Sequence, residues 1–436
     1  MSRTTTLSAD SSLTRRRVLQ MSSTAALATA IKTAFPSGAF AQGAGPEVKG
    51  TKLGYIALTD AAPLVIAKEK GIYAKYGLPD MEILKQASWG ATRDNMALGT
   101  KANGIDGGHI LSPKPYLYGT GKVMQNNQPL PMYTLLRLNE DCQGLSVSNE
   151  YKDLPVGTDC SALKEAFAKK KAAGKEVKAA MTFPGGTHDL WIRYWLAAGG
   201  IDPDKDISTI VVPPPQMVAN MKVGTMDAFC VGEPWNEQLV NQDIGFTAAT
   251  TGEIWFKHPE KVLGMRADWV DANPKAALAI MMATMEAQIW CEKMENKQEM
   301  AEIIGRRQWF NVPVPDIIGR LKGDINYGRG KVAKGTNLLM KFWGENGSVS
   351  YPWKSLDTWF VTENIRWGKF PPDTDIKALV DKTNRSDLWL TAAKGLGLKD
   401  MPSGDSRGPE KFFDGKVFDP ADPLGYLKSL GIKRIA

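Results

Sequence analysis

Three short apolar runs in this chain end in small residues and pass at once into a helix start. They are Ala87-Ser88-Trp89-Gly90-Ala91, Phe183-Pro184-Gly185-Gly186-Thr187-His188 and Val231-Gly232-Glu233-Pro234-Trp235. Strands that run the same way need a crossover, and a helix is the usual one, so the repeated junction predicts an α/β fold with parallel sheet. A helix start offers N–H groups without intrahelical acceptors and the positive end of the dipole. Several such ends brought together make a place for a small anion.

The segment 183–198 is the clearest of the three. Apolar bulk at Leu190, Trp191, Tyr194, Trp195 and Ala198 marks one buried helical face, and Gly199-Gly200 ends it. Thr187 is placed to cap the start, and His188 sits in the first turn.

A length of 436 residues is long for one core and predicts two lobes. The +7 formal charge does not indicate a nucleic-acid partner. Residues 1–41 hold Arg3, Arg15, Arg16, Arg17 and Lys32 against Asp10 alone, and no basic stripe interleaved with aromatics follows. Arg15-Arg16-Arg17 precedes a weakly apolar run to Ile31, and Ala39-Phe40-Ala41 offers small residues for cleavage, a pattern similar to a twin-arginine export signal. The expected mature chain starts near Gln42 and works in the periplasm. No cysteine stands near the cleavage site, so no lipid anchor is expected, and no stretch is long and apolar enough to insert in a membrane.

Four cysteines, Cys142, Cys160, Cys230 and Cys291, form no C-x-x-C pair and no metal-spaced cluster with histidine. They read as small buried hydrophobes, and their spacing leaves the disulfide state open. Catalytic signatures are missing: there is no G-x-S-x-G, H-E-x-x-H, Walker lysine or G-x-G-x-x-G after a strand. The chain is therefore read as a binding protein and not as an enzyme.

Periodicity divides the chain into a first lobe over 50–145, a second lobe over 146–236 and a return to the first lobe over 237–395 that is mainly helical. An irregular surface tail follows over 396–436. Gly107-Gly108-His109-Ile110 reads as a strand end facing a cleft.

With these segments in view, the chain resembles the periplasmic substrate-binding proteins of nitrate and bicarbonate ABC transporters. The likeness lies in Ala87-Ser88-Trp89-Gly90-Ala91-Thr92-Arg93-Asp94-Asn95, Thr182 to Trp191, Val231-Gly232-Glu233-Pro234-Trp235 and His258-Pro259-Glu260-Lys261. It implies a two-lobed type II periplasmic binding fold, each lobe a mostly parallel sheet flanked by helices, with a helical C-terminal extension. It also implies a monomer that closes on nitrate, or nitrite, and serves a membrane permease and its ATPase without a cofactor.

Carried onto this sequence, the resemblance puts Trp89 and the Gly90 N–H on one wall. Gln143 and His188 donate to the ligand, Gly232 and Glu233 border it, and Lys261 supplies the positive charge. Glu233 is expected to orient His188 or Lys261. In bicarbonate binders an acidic residue that goes with calcium takes the place of this lysine, so lysine favours nitrate, an ion with no proton to donate. Bicarbonate capture with calcium is the alternative in the same class, and a nitrate sensor acting on a regulatory partner is one from another class.

Overall fold

The computed structural model describes residues 45–435, so the expected export segment at 1–41 lies outside the described residues. Two five-stranded sheets form the centres of two lobes, in the orders β2-β1-β3-β10-β4 and β7-β6-β8-β5-β9. In the first lobe β1 (Lys52–Tyr55) pairs in parallel with β2 (Glu82–Lys85) and β3 (Gly107–Leu111). There β10 (Lys261–Arg266) runs antiparallel to β3 and to β4 (Met132–Arg137). The second lobe repeats this plan. β6 (Lys178–Met181) lies parallel to β7 (Ser208–Val211) and β8 (Ala228–Gly232), while β5 (Gln143–Ser148) runs antiparallel to β8 and β9 (Gly245–Thr250).

The expected parallel strand–helix units account for three strands of each sheet. Of the other two, one in each sheet runs against the remaining four, β10 in the first lobe and β5 in the second, each being the strand the chain enters straight after crossing between lobes. It crosses outward at 138–142, between β4 and β5, and back at 251–260, between β9 and β10. The two crossings hydrogen-bond to each other, Glu260 N to Asn139 O at 3.3 Å and Asp141 N to His258 O at 3.1 Å. β9 thus extends the second lobe past the boundary expected at residue 236.

The C-terminal region joins the lobes. Helix Lys354–Arg366 stacks Trp359 on Trp191 of helix Thr187–Ala198 at 5.0 Å, while its Asp357 accepts from Arg137 of β4 at 2.7 Å, both groups fully buried. Helix Ser386–Gly395 packs instead on helix Pro274–Glu292 of the first lobe. The tail is more ordered than its Pro and Gly content suggested. It forms a short hairpin and helix Pro423–Ser429, and inserts Phe412, Phe418, Tyr426 and Leu427 into the second core. Apolar residues at irregular spacing carry no period, so this packing left no pattern to read. All four cysteines are buried and free. No described helix is long and apolar enough to cross a membrane.

Three central strands of the first sheet meet at a row of glycines, Gly54 opposite Gly108 and Gly108 opposite Gly264. A Cβ at Gly108 would stand 2.1 Å from the Gly54 carbonyl oxygen, a backbone atom that cannot turn aside. Gly108→Ala is accordingly expected to force β1 and β3 apart and cost about 3 kcal/mol or more. Urea denaturation of the mature protein would show this as a lowered midpoint.

Candidate functional site

The turn after β1 carries Asp60 into the space between the lobes, where it is fully buried. Its Oδ1 lies 2.5 Å from His109 Nε2, and its Oδ2 accepts from Lys261 Nζ at 2.8 Å. His109 lies opposite Leu263 and Lys261 opposite Leu111, so alternation along the paired strands sends His109 and Lys261 to the same face. Burial pushes the His109 imidazole below its ordinary pKa, so the neutral ring donates from Nε2 to Asp60.

Lys261 Nζ also contacts Glu260 Oε2. Burial alone would favour a neutral amine, but Asp60 and Glu260 outweigh it and raise the lysine. For Asp60, burial acts upward, and Lys261 with His109 overcomes it and holds the carboxylate well below its usual range. Burial pushes Glu260 the other way, up to about 7, against the pull of Lys261 and with the help of Asp60. An ammonium has three donors. Two go to these carboxylates and one is left.

Trp89 starts helix Trp89–Leu98, which Ser88 caps by accepting from Ala91 N at 3.0 Å. The Trp89 ring is fully buried 5.4 Å from that of His109, and its Nε1 has no hydrogen-bond partner. Gly90 is half-buried in the first turn, where N–H groups lack intrahelical acceptors. Behind the tryptophan, Lys114 donates to the Trp89 carbonyl at 2.9 Å and holds its Nζ 3.9 Å from the Phe183 ring of the other lobe. Burial pushes Lys114 well down.

The second lobe supplies the facing wall. Gln143 opens β5 opposite Gly232, the last residue of β8. A Cβ at Gly232 would lie 3.5 Å from Asp60 Oδ2, so the glycine backbone rests directly against the carboxylate of the first lobe. Gln143 is fully buried with neither amide atom paired. His188 Nδ1 lies 2.5 Å from Thr182 Oγ1, and its Nε2 is buried without a partner. Burial, reinforced by Lys261, pushes His188 well below its ordinary value. With the Thr182 hydroxyl donating to Nδ1, the ring proton stays on Nε2, which becomes a donor into the cleft.

Two expectations change. Thr187 is the first helical residue and not the cap; Gly186 precedes it in extended conformation. Glu233 does not orient His188 or Lys261. Its carboxylate turns away to Arg320 Nη1 at 2.8 Å and Glu237 N at 3.2 Å, because a buried arginine draws the nearest buried acid. Its backbone stays at the site. The Glu233 carbonyl accepts from Thr59 N at 2.7 Å and Trp235 Nε1 donates to the Ala57 carbonyl at 3.0 Å, which ties the lobes together.

Trp89, Gln143, His188, Gly232 and Lys261 therefore gather, all buried, around the Asp60 carboxylate between the lobes, with Gly90 at the start of an adjoining helix. Sequence reasoning passed over Asp60 and Lys114, named Glu260 only as the neighbour that could stand in the place of Lys261, and named His109 only as a strand end. Asp60 follows a strand at a small-residue turn, the same signal as the three quoted junctions, and could have been found that way. Unpaired buried donors are costly, at about 1–3 kcal/mol each, and a molecule with several acceptor lone pairs and no protons would satisfy them.

Residues 44–305 match the NMT1-like family. The nitrate/nitrite binding protein NrtA of Synechocystis is 61% identical over 393 residues, covering 89% of this chain and 86% of the relative. The bicarbonate-binding protein CmpA of Synechococcus elongatus is 47% identical over 397 residues, covering 89% and 88%. The crystal structure of the periplasmic nitrate-binding protein NrtA from Synechocystis superposes with a TM-score of 0.86 at 60% identity, covering 89% of this chain and 100% of that one. The chain belongs to the NMT1-like family, within the group formed by these nitrate/nitrite-binding and bicarbonate-binding proteins.

Proposed function

We propose that this protein captures nitrate, and nitrite with it, by closing two lobes on the ion in the periplasm. It then delivers the ion as a monomer to a membrane permease driven by a cytoplasmic ATPase. One observation carries the reading: Trp89 Nε1, the Gln143 amide and His188 Nε2 are all buried without protein partners around a lysine with one donor to spare. Nitrate offers acceptors in a plane and no proton, which suits a ring of donors. The similarity to nitrate/nitrite binding proteins supports the same ion. Binding is the whole of the activity in this reading, with no covalent step and no cofactor.

Calorimetry of the mature protein tests the ion. Nitrate is expected to bind at micromolar concentration or tighter, about −8 kcal/mol or better. No heat with nitrate and a calcium-dependent heat with bicarbonate would transfer the protein to bicarbonate capture. His188→Ala removes one donor and is expected to weaken nitrate by about 1–3 kcal/mol, roughly five- to 150-fold.

Lys261→Met strips the cation from two buried carboxylates and should abolish binding. It should also lower stability by about 3–5 kcal/mol in urea denaturation. For the export route, replacing Arg15, Arg16 and Arg17 by lysine is expected to leave the uncleaved chain in the cytoplasm on cell fractionation. Normal periplasmic recovery would rule that route out.

A further inference from the structure

A carboxylic group in the wall of an anion site poses a charge problem. Asp60 and Lys261 neutralise each other across 2.8 Å, and the histidines around them, His109, His188 and His258, are all buried and uncharged. Glu260 is the remaining acid, fully buried beside Lys261. Were it ionised, the Asp60–Lys261–Glu260 cluster would carry a net negative charge before any anion entered. A monoanion would then be desolvated against a carboxylate at close range, a situation of large cost in a water-free interior.

The placement of Glu260 offers a different outcome. Its Oε2 is turned to Lys261, while its buried Oε1 makes no close hydrogen bond and has the Thr187 side chain, at the start of helix Thr187–Ala198, as its nearest polar neighbour, a weak pull toward the carboxylate that burial outweighs. The other charged or titratable groups around it are Asp60 from the turn after β1 and the Cys230 thiol from β8. Its own backbone carbonyl is fixed by Ser112, through N at 3.2 Å and through the hydroxyl at 2.5 Å. No arginine or second lysine is directed at it. A carboxylate is an acceptor only, whereas the acid form has one O–H to donate, and nitrate needs donors.

Resting on the nitrate reading above, we propose that Glu260 meets the anion as a carboxylic acid, donating through Oε1, so that each ion captured draws one proton from solvent. The proton passes from bulk buffer to the Glu260 carboxylate, and no bond in the anion changes. Burial places Glu260 in the physiological range in the empty protein, and a neighbouring anion can only raise it further. The sign follows by linkage. Below about pH 6 the acid is already formed, and binding takes up no proton. Above about pH 7 the proton must be acquired, and affinity falls up to tenfold per pH unit. Glu260 is then also a discriminator, since an anion with its own proton could donate to the carboxylate while nitrate cannot.

The test is calorimetry of the mature protein with sodium nitrate at pH 6, 7 and 8, in pairs of buffers with different ionisation enthalpies. Proton uptake per nitrate is expected to rise from near zero at pH 6 toward about one at pH 8. Glu260→Gln should abolish the uptake and the pH dependence, because the amide donates at every pH. Buffer-independent nitrate heat at pH 8 would overturn the proposal while leaving nitrate capture intact. Uptake that persists in Glu260→Gln would overturn it as well, by placing the proton elsewhere. Absence of nitrate and nitrite binding in every buffer would remove the parent reading and the proposal together. Should Glu260→Gln fail to fold, infrared difference spectra of the wild type and of Glu233→Gln decide. A protonated-carboxyl band that grows on nitrate addition at pH 8 in both supports Glu260, and its absence from either refutes it.

Discussion

The ammonium of Lys261, buried between Asp60 and Glu260, is the contact on which the geometry of the cleft depends. Taking a lysine wholly out of water is expensive unless carboxylates receive it, and here they come from two places in the chain. Glu260 is its neighbour on the returning crossing, and Asp60 stands on the turn after β1, two hundred residues away in sequence. The pairing therefore holds the returning segment against the first lobe and, through Asp60, orients His109 beneath Trp89. Removing Lys261 or Asp60 would leave an unpaired buried charge, so these residues are coupled in stability as well as in binding.

Closure has a structural frame of its own. The two crossings pair with each other, and Glu140 within the first accepts from Arg407 of the C-terminal tail at 2.5 Å, while Arg407 also donates to the Lys257 carbonyl at 2.9 Å. Helix Lys354–Arg366 is fixed to the first lobe by Arg137 and to the second by Trp359. The C-terminal region therefore straps both lobes and both crossings together. The chain itself passes between the lobes at 138–142 and 251–260, so these two segments and the C-terminal region are the connections that any relative movement of the lobes has to involve.

Much of the architecture was legible because it rests on local pattern. The small-residue junctions at Trp89, His188 and Glu233 mark strands feeding helices, and the structure places each at the face between the lobes. What escaped has no local signature. The antiparallel partners β5 and β10 are set by where the chain changes lobe, which depends on the whole topology. The direction of Glu233 is set by Arg320, 87 residues on. Tail residues Phe412 and Phe418 are core only because Trp255, Trp359 and Tyr426 lie waiting for them.

The chemistry of the cleft follows from how few formal charges it holds. A site built from several cations would bind anions strongly, but it would pay desolvation for each and hold any oxyanion of sufficient charge. Here one ammonium is already neutralised by Asp60, two imidazoles are held uncharged by burial, and the remaining donors are an indole, an amide and backbone N–H groups. Such donors attract a singly charged planar ion through directed hydrogen bonds while offering little compensation to a dianion. Selectivity then rests on shape and on the absence of protons in the ligand. Asp60 is tolerated as an acceptor in that wall because Lys261 and His109 occupy its oxygens, whereas Glu260 shares only what Lys261 has left, and it is this difference on which its proposed protonation rests.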